Sequence, residues 1–459
     1  MRRINVDTIC APATATGGAI NIVRISGPEA IEIADKIFVS KKKGFKLANA
    51  DSHTIHFGDI IYNNEILDEV LISVFTDNKS YTGEPSIEIS IHASPYILNK
   101  TIELLLEKGA LVAEPGEFSM RAFLNGKLDL AQAEAVGDII ASASKSAHNT
   151  AMRQLKGEFS NKLKDLRQQL MDFASLIELE LDFAEEDVEF ADRTKFIDLV
   201  YTINTEVTSL INSFKIGNVL KDGIPVAIVG KPNVGKSTLL NALLQEDKAI
   251  VSDIAGTTRD IIEDIINIDG IIYRFIDTAG IRESEDTIEK IGIERTYKKV
   301  SHANIVLLLL DANEINSSKD IDNHIKDANL NIDKENQELI VVINKVDGLE
   351  IEYNIDEYNI IQISAKNNNI KQLEDALSLY IKQFNIEDQS IITNARHIEA
   401  LKNSKQALDD INSAFRMGIP TDLIAIDVRA CLYHLGSITG QISNDELLGN
   451  IFGKFCIGK

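Results

Sequence analysis

The chain lacks the features that would mark a membrane, secreted or zinc-binding protein. Its 459 residues contain no apolar run of about eighteen residues, the length needed to cross a bilayer. The N-terminal segment 1–7 reaches a carboxylate at Asp7 and has no hydrophobic signal core. Its three cysteines are widely spaced, which argues against a disulfide scaffold and against zinc. We therefore expect a cytoplasmic protein with no membrane span.

Positive charge is also scarce. The net charge of −23 argues against broad nucleic-acid binding through the overall electrostatic field. The lysine-rich stretch 41–46 could contact RNA locally, although we prefer to interpret it as a solvated loop. The acidic stretch 178–189 could hold a metal, but a solvated helix end is the preferred interpretation. The length predicts about three domains.

The most informative stretch is the octapeptide Gly230–Ser237, GKPNVGKS. It lies between an apolar run at 226–229 and a helix-like run at 238–244, the context of a phosphate-binding loop. Backbone N–H groups of the loop and the positive end of the helix would face phosphate oxygens. Lys236 would reach the β- and γ-phosphates, and Ser237 would bind magnesium.

Three further strand ends carry the groups that a guanine-nucleotide site requires. The segment 277–280, Asp-Thr-Ala-Gly, would hold magnesium through water and meet the γ-phosphate. In Asn344-Lys345-Val346-Asp347, the carboxylate of Asp347 can accept hydrogen bonds from guanine N1–H and the 2-amino group, donors that adenine does not offer. The segment 364–366, Ser-Ala-Lys, resembles the loop at the guanine edge. With these motifs in this order, the segment resembles a Ras-like GTPase of the translation-factor class. The predicted nucleotide-binding residues are Asn233, Val234, Gly235, Lys236, Ser237, Thr238, Ser252, Ile254, Gly256, Thr257, Thr258, Asp277, Thr278, Ala279, Gly280, Asn344, Lys345, Asp347, Ser364, Ala365 and Lys366.

Two details separate the segment from Ras-like switches. Ile281 stands where many relatives carry a glutamine that orients the attacking water, so Glu289 is the predicted catalytic residue. Asn233 and the first switch, 252–260, could enclose a potassium ion that supplies the charge of an arginine finger. In the alternative interpretation, Asn233 braces the loop and Arg259 is the finger.

The flanks of this GTPase segment predict a multidomain α+β and α/β architecture. Residues 1–120 read as a mixed domain with strands at 19–25, 53–62, 68–76 and 86–92, a hairpin turn at 63–64, and helices at 29–38 and 95–106. Residues 121–213 and 385–459 read as a helical domain that starts at an Asp129 N-cap. Its expected weak points are Gly137, Gly157, Gly436 and Gly440, and one helix runs from 193 to 214 and leads to Gly217. The G domain, 214–384, is therefore predicted to be inserted in the helical domain.

Four motifs outside the G domain carry a resemblance to a known family. They are the segments 24–28 (RISGP), 81–84 (YTGE), 115–135 (PGEFSMRAFLNGKLDLAQAEA) and 456–459 (CIGK). Over essentially its whole length the chain resembles the MnmE (TrmE) family of tRNA modification GTPases. The resemblance implies an N-terminal domain that binds a tetrahydrofolate derivative, such as 5-formyl- or methylene-tetrahydrofolate. It also implies a heterotetramer with the FAD-containing partner MnmG (GidA), which acts on carbon 5 of the tRNA wobble uridine.

The same resemblance implies roles for individual residues. Folate would contact Arg24, Glu84, Lys127 and Lys459. Potassium would lie at Asn233, Ser252, Ile254 and Thr257, magnesium at Ser237 and Thr258, and Glu289 would orient the water. Family members are homodimers through the N-terminal domain, and their G domains pair across the nucleotides.

Three points stay open at the level of sequence. Cys456 could take part in the modification or only shape the tail. His92 receives no role, because Ala93 and Ser94 replace the two glycines usual in the family. The competing hypothesis is a ribosome-assembly GTPase that acts as an RNA-docking switch, and it would need an RNA-binding appendage.

Overall fold

A computed structural model describes most of the chain. The described residues are 7–15, 17–182, 193–245, 264–276, 300–315, 317–328, 330, 332–333, 337–347, 358–382, 391–443, 445–456 and 458. The chain divides into two compact units. The first comprises Met1–Ile140, Met152–Tyr201 and Gln406–Lys459, and the second comprises Ala141–Ala151 and Thr202–Lys405. Within the described ranges, none of the helices combines the length and the apolarity needed to cross a bilayer.

The first part of the chain is a sheet with flanking helices, followed by long helices. The elements are β1 (Ile9–Pro12), β2 (Ile20–Ser26), α1 (Ala30–Asp35), β3 (Phe38–Ser40), β4 (Thr54–Tyr62), β5 (Glu65–Phe75), β6 (Ser86–His92), α2 (Pro95–Glu107), β7 (Leu111–Val112), α3 (Glu117–Leu124), α4 (Leu130–Ala141), α5 (Lys145–Leu155), α6 (Glu158–Asp182) and α7 (Arg193–Asp222). The strand order is β3-β4-β5-β6-β2-β1-β7. Neighbours pair antiparallel except β1 and β7, which run parallel.

Alternation of apolar and polar residues explains this sheet. Val70, Ile72 and Val74 of β5 are buried at every second position, where they join a core that also includes residues of α1 and α2. The predicted hairpin turn is confirmed, because Asn63 and Asn64 both have positive φ, 49° and 65°. That pair of angles is typical of a tight turn whose twist matches the strands.

The helix predicted at 29–38 is too long. It ends at Asp35, and Phe38 already pairs with Ile60 in the sheet. Cys10 and Cys431 are fully buried. Burial raises the pKa of both thiols to about 12, so they remain protonated and unreactive core residues.

The predicted Asp129 cap is confirmed. The carboxylate of Asp129 accepts from the N–H of Gln132 at 3.0 Å, and the Gln132 side chain accepts from the N–H of Asp129 at 2.9 Å. This reciprocal pair is a capping box, which satisfies two otherwise unpaired donors at the start of α4. Gly157 separates α5 from α6 as expected, but Gly137 does not interrupt its helix.

The remaining elements form a second sheet and the last helices. They are β8 (Ile224–Val229), α8 (Lys236–Gln245), β9 (Asp264–Ile268), β10 (Ile271–Phe275), β11 (Ile305–Asp311), α9 (Ser318–Ala328), β12 (Glu338–Asn344), β13 (Asn359–Gln362), α10 (Lys371–Lys382), α11 (Ala395–Met417), α12 (Thr421–Thr439) and α13 (Asp445–Phe452). The strand order is β13-β12-β11-β8-β10-β9, and only β9 and β10 pair antiparallel. Since parallel strands end at the same edge, the loops after β8, β11 and β12 meet there.

The prediction that the helix from 193 ends near 214 is wrong. Helix α7 runs on to Asp222, with Gly217 inside it. A Cβ atom at position 217 would lie 1.8 Å from the carbonyl oxygen of Ile392, so the glycine permits a close backbone approach and does not end the helix. Gly436 likewise lies within α12, whereas Gly440, with a φ of 79°, caps its C-terminus.

We expect the two helical glycines to respond oppositely to alanine. Gly217→Ala should destabilise the protein by about 1–3 kcal/mol, because the backbone at Ile392 must move. Gly137→Ala should stabilise it by about 0.5–1 kcal/mol, because its Cβ meets nothing nearer than Phe455 at 3.7 Å and alanine favours helix. Denaturant-induced unfolding of both variants, followed by circular dichroism, checks this. A Gly217→Ala protein as stable as the wild type would contradict the close approach.

Candidate functional site

The phosphate-binding loop follows β8 and leads into α8, as predicted. Gly235 has a φ of 98°, and a Cβ there would lie 2.3 Å from the side-chain nitrogen of Asn344, so glycine is required. Lys236 curls over the loop and donates to the carbonyls of Gly230 and Lys231 at 2.9 and 2.7 Å. These contacts hold its ammonium group over the loop, beside the first turn of α8 that begins at Lys236.

Asn344 joins the phosphate-binding loop to the loop after β13. Its amide nitrogen donates to the carbonyl of Val234 at 2.9 Å, and its amide oxygen accepts from the N–H of Ala365 at 3.0 Å. The residue is only 2% exposed. Because both partners are backbone groups, Asn344 sets the distance between the two loops independently of their side chains.

Lys345 forms a second link. Its ammonium group donates to the carbonyl of Asn233 and to the carboxylate of Asp311, each at 2.7 Å. Burial alone would raise the pKa of Asp311, but hydrogen bonds from Lys345 and Asn313 outweigh it and hold that pKa below its ordinary value. The carboxylate at the end of β11 is therefore ionised near neutral pH and anchors Lys345.

Asp347 lies exposed at the end of the same segment, with one oxygen already engaged. Its Oδ1 accepts from the hydroxyl of Ser364 at 2.5 Å and from the amide of Asn367 at 2.7 Å. Ser364 belongs to the predicted guanine-edge loop, and that contact brings the two predicted segments together. The sequence motifs do not indicate Asn367, although it directly follows Lys366.

Part of the predicted nucleotide site lies outside the described residues. Nothing structural is stated for Ser252, Ile254, Gly256, Thr257, Thr258, Asp277, Thr278, Ala279, Gly280, Ile281 and Glu289, nor for Arg259 and Lys459. The side chains of the acidic stretch 178–189 are also outside the description. Within the part of the chain that is described, no group of three or more His, Cys, Asp or Glu residues is arranged to hold a metal ion.

A second cluster lies in the first unit, around Arg24 on β2. Its guanidinium donates twice to one carboxylate oxygen of Glu88, at 2.9 and 2.8 Å, and once to the carbonyl of Gly458 at 3.2 Å. The N–H of Gly116 reaches the carbonyl of Cys456 at 3.4 Å. These contacts bring the C-terminal tail beside Arg24, and the Cys456 residue is exposed.

Glu84 belongs to a buried ionic network. Arg121 is 1% exposed and donates to both oxygens of Glu84 at 3.2 and 3.1 Å, and to Glu117 at 2.9 Å. Ser26 also donates to Glu84, at 2.9 Å. One cation thus faces two carboxylates, and the excess negative charge favours a ligand that donates hydrogen bonds. Arg121 was quoted within a motif but received no role from the sequence.

Lys127 lies close to the loop that carries Glu84. Its ammonium group donates to the carbonyl of Asn78 at 2.6 Å, and the side chain of Asn125 donates to the carbonyl of Thr82 at 2.8 Å. The loop 77–84 therefore packs against the C-terminal end of α3. Three of the four residues predicted to bind folate meet at this loop: Glu84 belongs to it, Lys127 contacts it, and Arg24 lies 5.8 Å from the centroid of its Tyr81 ring and contacts the tail.

Local contacts explain two other residues raised by the sequence, Lys41 and His92. Lys41 of the lysine-rich stretch pairs with Asp59 and Glu69 at 2.7 and 2.8 Å, so its charge is already balanced. The ring of His92 pairs with the buried carboxylate of Asp68 at 2.7 Å. Asp68 also accepts from the backbone N–H of His92 at 2.9 Å, a bond that ties the end of β6 to β5.

The second unit has the fold and the site of a P-loop GTPase. Its mostly parallel sheet carries a glycine-bounded loop after β8, and an Asn-Lys-x-Asp segment at the end of β12. Ser237 and Thr238 follow in the first turn of α8, where backbone N–H groups suit a phosphate.

Comparison with known proteins assigns the chain to a family within this class. A family profile described as the MnmE helical domain matches residues 130–456, and one described as the GTP-binding protein TrmE N-terminus matches residues 8–127. The tRNA modification GTPase MnmE of Flavobacterium johnsoniae is 50% identical, over 99% of this chain and 100% of the relative. Those of Christiangramia forsetii and Bacteroides thetaiotaomicron are each 48% identical, over 99% of this chain and 99% and 100% of theirs. The chain therefore belongs to the MnmE family of tRNA modification GTPases, and it is a GTPase.

Solved structures add little to this assignment. The chain is similar to that of Era in complex with MgGDPNP and nucleotides of 16S ribosomal RNA, at 29% identity over 40% of this chain and 66% of that chain. The TM-score of 0.24 is too low to support an argument.

We expect Asn344→Ala to weaken GDP binding by about tenfold to a hundredfold, because two buried backbone groups lose their partner. Titration with a fluorescent GDP analogue measures this. Asn359→Ala is the control, since Asn359 is an exposed asparagine on β13 and touches neither loop in the described hydrogen bonds. Equal affinity in the wild type and Asn344→Ala would show that the bridge does not shape the site.

Proposed function

We propose that this protein is a potassium-activated GTP hydrolase that modifies carbon 5 of the tRNA wobble uridine. In this proposal it acts in the cytoplasm as a homodimer, in a heterotetramer with an FAD-dependent MnmG (GidA) protein. A tetrahydrofolate derivative carries the one-carbon unit that becomes part of an aminomethyl or carboxymethylaminomethyl group. The observation that carries the proposal is the convergence of Arg24, Glu84, Lys127 and the C-terminal tail in a chain that also has a GTPase site.

The nucleotide site supports guanine selection by Asp347. The second oxygen of that carboxylate has no partner among the described hydrogen bonds, so it can accept from the purine edge. Asn344, Ser364 and Ala365 hold the surrounding loops, and Lys345 donates to the phosphate-binding loop at the carbonyl of Asn233. Val234, Gly235, Lys236, Ser237 and Thr238 would bind the phosphates and magnesium, together with the predicted residues in the two switch segments and Lys366.

Potassium fits the one predicted ligand that the structure describes. Asn233 is exposed with a φ of 65°, and its side-chain oxygen is engaged in none of the described hydrogen bonds. An amide oxygen is a hard ligand of the type that alkali and alkaline-earth cations prefer. When bound, potassium would supply positive charge to the triphosphate, in place of an arginine finger. The other proposed ligands are Ser252, Ile254 and Thr257, while Thr258 would join Ser237 on magnesium and Glu289 would orient the water.

The cluster in the first unit fits a folate. Glu84 is 8% exposed, so a ligand would meet only the edge of its carboxylate. A carboxylate offers about four acceptor positions, and the donors from Ser26 and Arg121 leave room for a pterin N–H. Arg24 and Lys127 provide cations for the carboxylates or carbonyls of the same ligand, with Lys459 as the fourth predicted contact. Cys456 lies on this tail and is exposed, which is compatible with a reactive role.

The outer face of the first sheet supports a homodimer. Ile55, Phe57 and Leu71 are 66%, 49% and 47% exposed, and Phe57 lies directly opposite Leu71 in the sheet register. An apolar patch of this kind on a sheet face is typical of a protein–protein interface. The net charge of −23 remains unfavourable for tRNA binding by field alone, so we assign part of the tRNA contact to the MnmG partner.

We expect GTP hydrolysis to be about tenfold or more faster in potassium than in sodium at equal ionic strength, because only potassium would fit the ligand cage. Steady-state phosphate release measures both rates. Asn233→Ala should lose the difference, while the exposed control Asn359→Ala should keep it. Equal wild-type rates in the two salts would contradict potassium activation.

We expect Arg24→Ala to abolish wobble-uridine modification while GTP hydrolysis persists, because Arg24 lies in the first unit and the phosphate-binding loop in the second. The measurement is nucleoside analysis of tRNA from a strain that lacks this protein and carries each variant. Lys36→Ala is the control, because the Lys36 side chain forms an exposed pair with Glu32, and exposed pairs of this kind contribute little to stability.

The deletion strain itself tests the proposal as a whole. Unchanged wobble uridines without the protein would overturn it. Co-sedimentation with ribosomal subunits, combined with no binding of 5-formyl-tetrahydrofolate, would favour the ribosome-assembly hypothesis instead.

A further inference from the structure

We propose that Asn367 is a positioning residue for guanine selection, acting through Asp347. The inference rests on the guanine-recognition role proposed above for Asp347. It goes beyond that role because it names a residue outside both the Asn-Lys-x-Asp and the Ser-Ala-Lys segments. Asn367 touches the purine-selecting carboxylate and not the purine.

The hydrogen bonds of Asp347 show a division between its two oxygens. Ser364 and Asn367 both donate to Oδ1, at 2.5 and 2.7 Å. An ionised carboxylate offers about four acceptor positions, two on each oxygen. Two positions are filled by the protein, and guanine brings two donors, N1–H and the 2-amino group. The two guanine donors find two acceptor positions on the other oxygen only if both protein donors stay on Oδ1.

The two donors also fix the plane of the carboxylate. A single donor leaves the group free to rotate about the bond to Cβ, since that torsion is broad for an aspartate. Donors from two different positions of one loop restrict the rotation. A base that makes two hydrogen bonds needs this fixed plane, whereas a base that makes one can follow a rotating carboxylate. Asn367 therefore matters most for the 2-amino group, which distinguishes guanine from hypoxanthine.

The backbone around Asn367 is held in place. Ser364 and Asn369 exchange two backbone hydrogen bonds, at 3.1 and 3.0 Å, and these close a tight loop. Residues Ala365–Asn367 form a single 3-10 turn inside it, and Asn368 follows with a φ of 56°. The N–H of Ala365 is anchored to buried Asn344. The position of the Asn367 side chain is thus set by the loop and not by Asp347 alone.

The chain provides a matched control two residues away. Asn369 is exposed, has the same side chain, and contributes to the loop only through its backbone in the described hydrogen bonds. Its replacement by alanine keeps those backbone bonds. Asn368 is unsuitable as a control, because its left-handed backbone favours asparagine over alanine.

The experiment measures the affinities of GDP, IDP and XDP for the full chain and its variants by competition with a fluorescent GDP analogue. For Asn367→Ala we expect GDP to bind about tenfold more weakly, since a hydrogen bond to a charged group is lost. IDP should lose only about twofold, because it lacks the 2-amino group, and the GDP-to-IDP ratio should fall about fivefold. Asn369→Ala should leave all three affinities within about twofold.

A variant with a side chain of the same size tests whether the hydrogen bond of Asn367, and not the shape of its side chain, is required. Asn367→Asp keeps the size of the side chain but replaces the donor by a carboxylate that repels Asp347. We expect it to lose at least as much GDP affinity as Asn367→Ala. Thermal unfolding midpoints close to that of the wild type will show that both variants fold. An Asn367→Asp protein with wild-type GDP affinity would overturn the inference.

Asp347→Asn distinguishes failure of the inference from failure of the underlying assignment. If Asp347 selects guanine, this variant should favour XDP over GDP, because an amide donor suits the additional carbonyl of xanthine. If that shift occurs but Asn367→Ala keeps the wild-type GDP-to-IDP ratio, Asn367 has no positioning role. If Asp347→Asn leaves the purine preference unchanged, the guanine role of Asp347 fails, and the inference fails with it.

Discussion

The side-chain amide of Asn344 is the interaction on which the nucleotide site depends. It joins the carbonyl of Val234 to the N–H of Ala365 from a position that is 2% exposed. The phosphate-binding loop follows β8 and the base-side loop follows β13, and Asn344 at the end of β12 contacts both. A short buried amide with both a donor and an acceptor satisfies both loops at once, which an aspartate or an alkyl side chain could not do.

In the first unit, a buried ionic network joins the elements of the site, as the side-chain amide of Asn344 does in the second unit. Arg121 is buried between Glu84 and Glu117, and its planar guanidinium can serve both carboxylates in fixed directions. Removing such a cation would leave two buried anions, which is far more costly than losing an exposed pair. The same arrangement holds Glu84 at the end of the loop 77–84, where Ser26 of β2 also donates to it. The carboxylate proposed to contact a ligand is thus also a member of a buried structural network.

Much of the fold follows from local patterns. Alternation of apolar and polar residues predicted the strands at 53–62 and 86–92. The residues next to Asp129 in the sequence were enough to predict its helix cap. The role of each glycine was hard to predict, because the sequence does not show whether a glycine ends a helix or allows a close backbone contact. Gly157 separates two helices, whereas Gly217 serves a close approach to Ile392, a residue far away along the chain. The contact between Asn367 and Asp347, and the network of Arg121, also join distant residues, so spacing along the sequence could not reveal them. The segments with most of the switch residues and the proposed water-orienting Glu289 lie outside the described part of the chain, and their roles stay predictions.

The contact between Arg24 and the carbonyl of Gly458 joins residues that are 434 positions apart. A ribosome delivers Arg24 early and Gly458 hundreds of residues later, and N-terminal segments generally fold while synthesis continues. The sheet around Arg24 can therefore form long before its last neighbour exists. The cluster stays open on one side throughout translation and closes only when residue 458 has left the exit tunnel. A nascent chain would thus carry the folded sheet without the tail contact to Arg24, and removal of the last few residues would leave the sheet in that state.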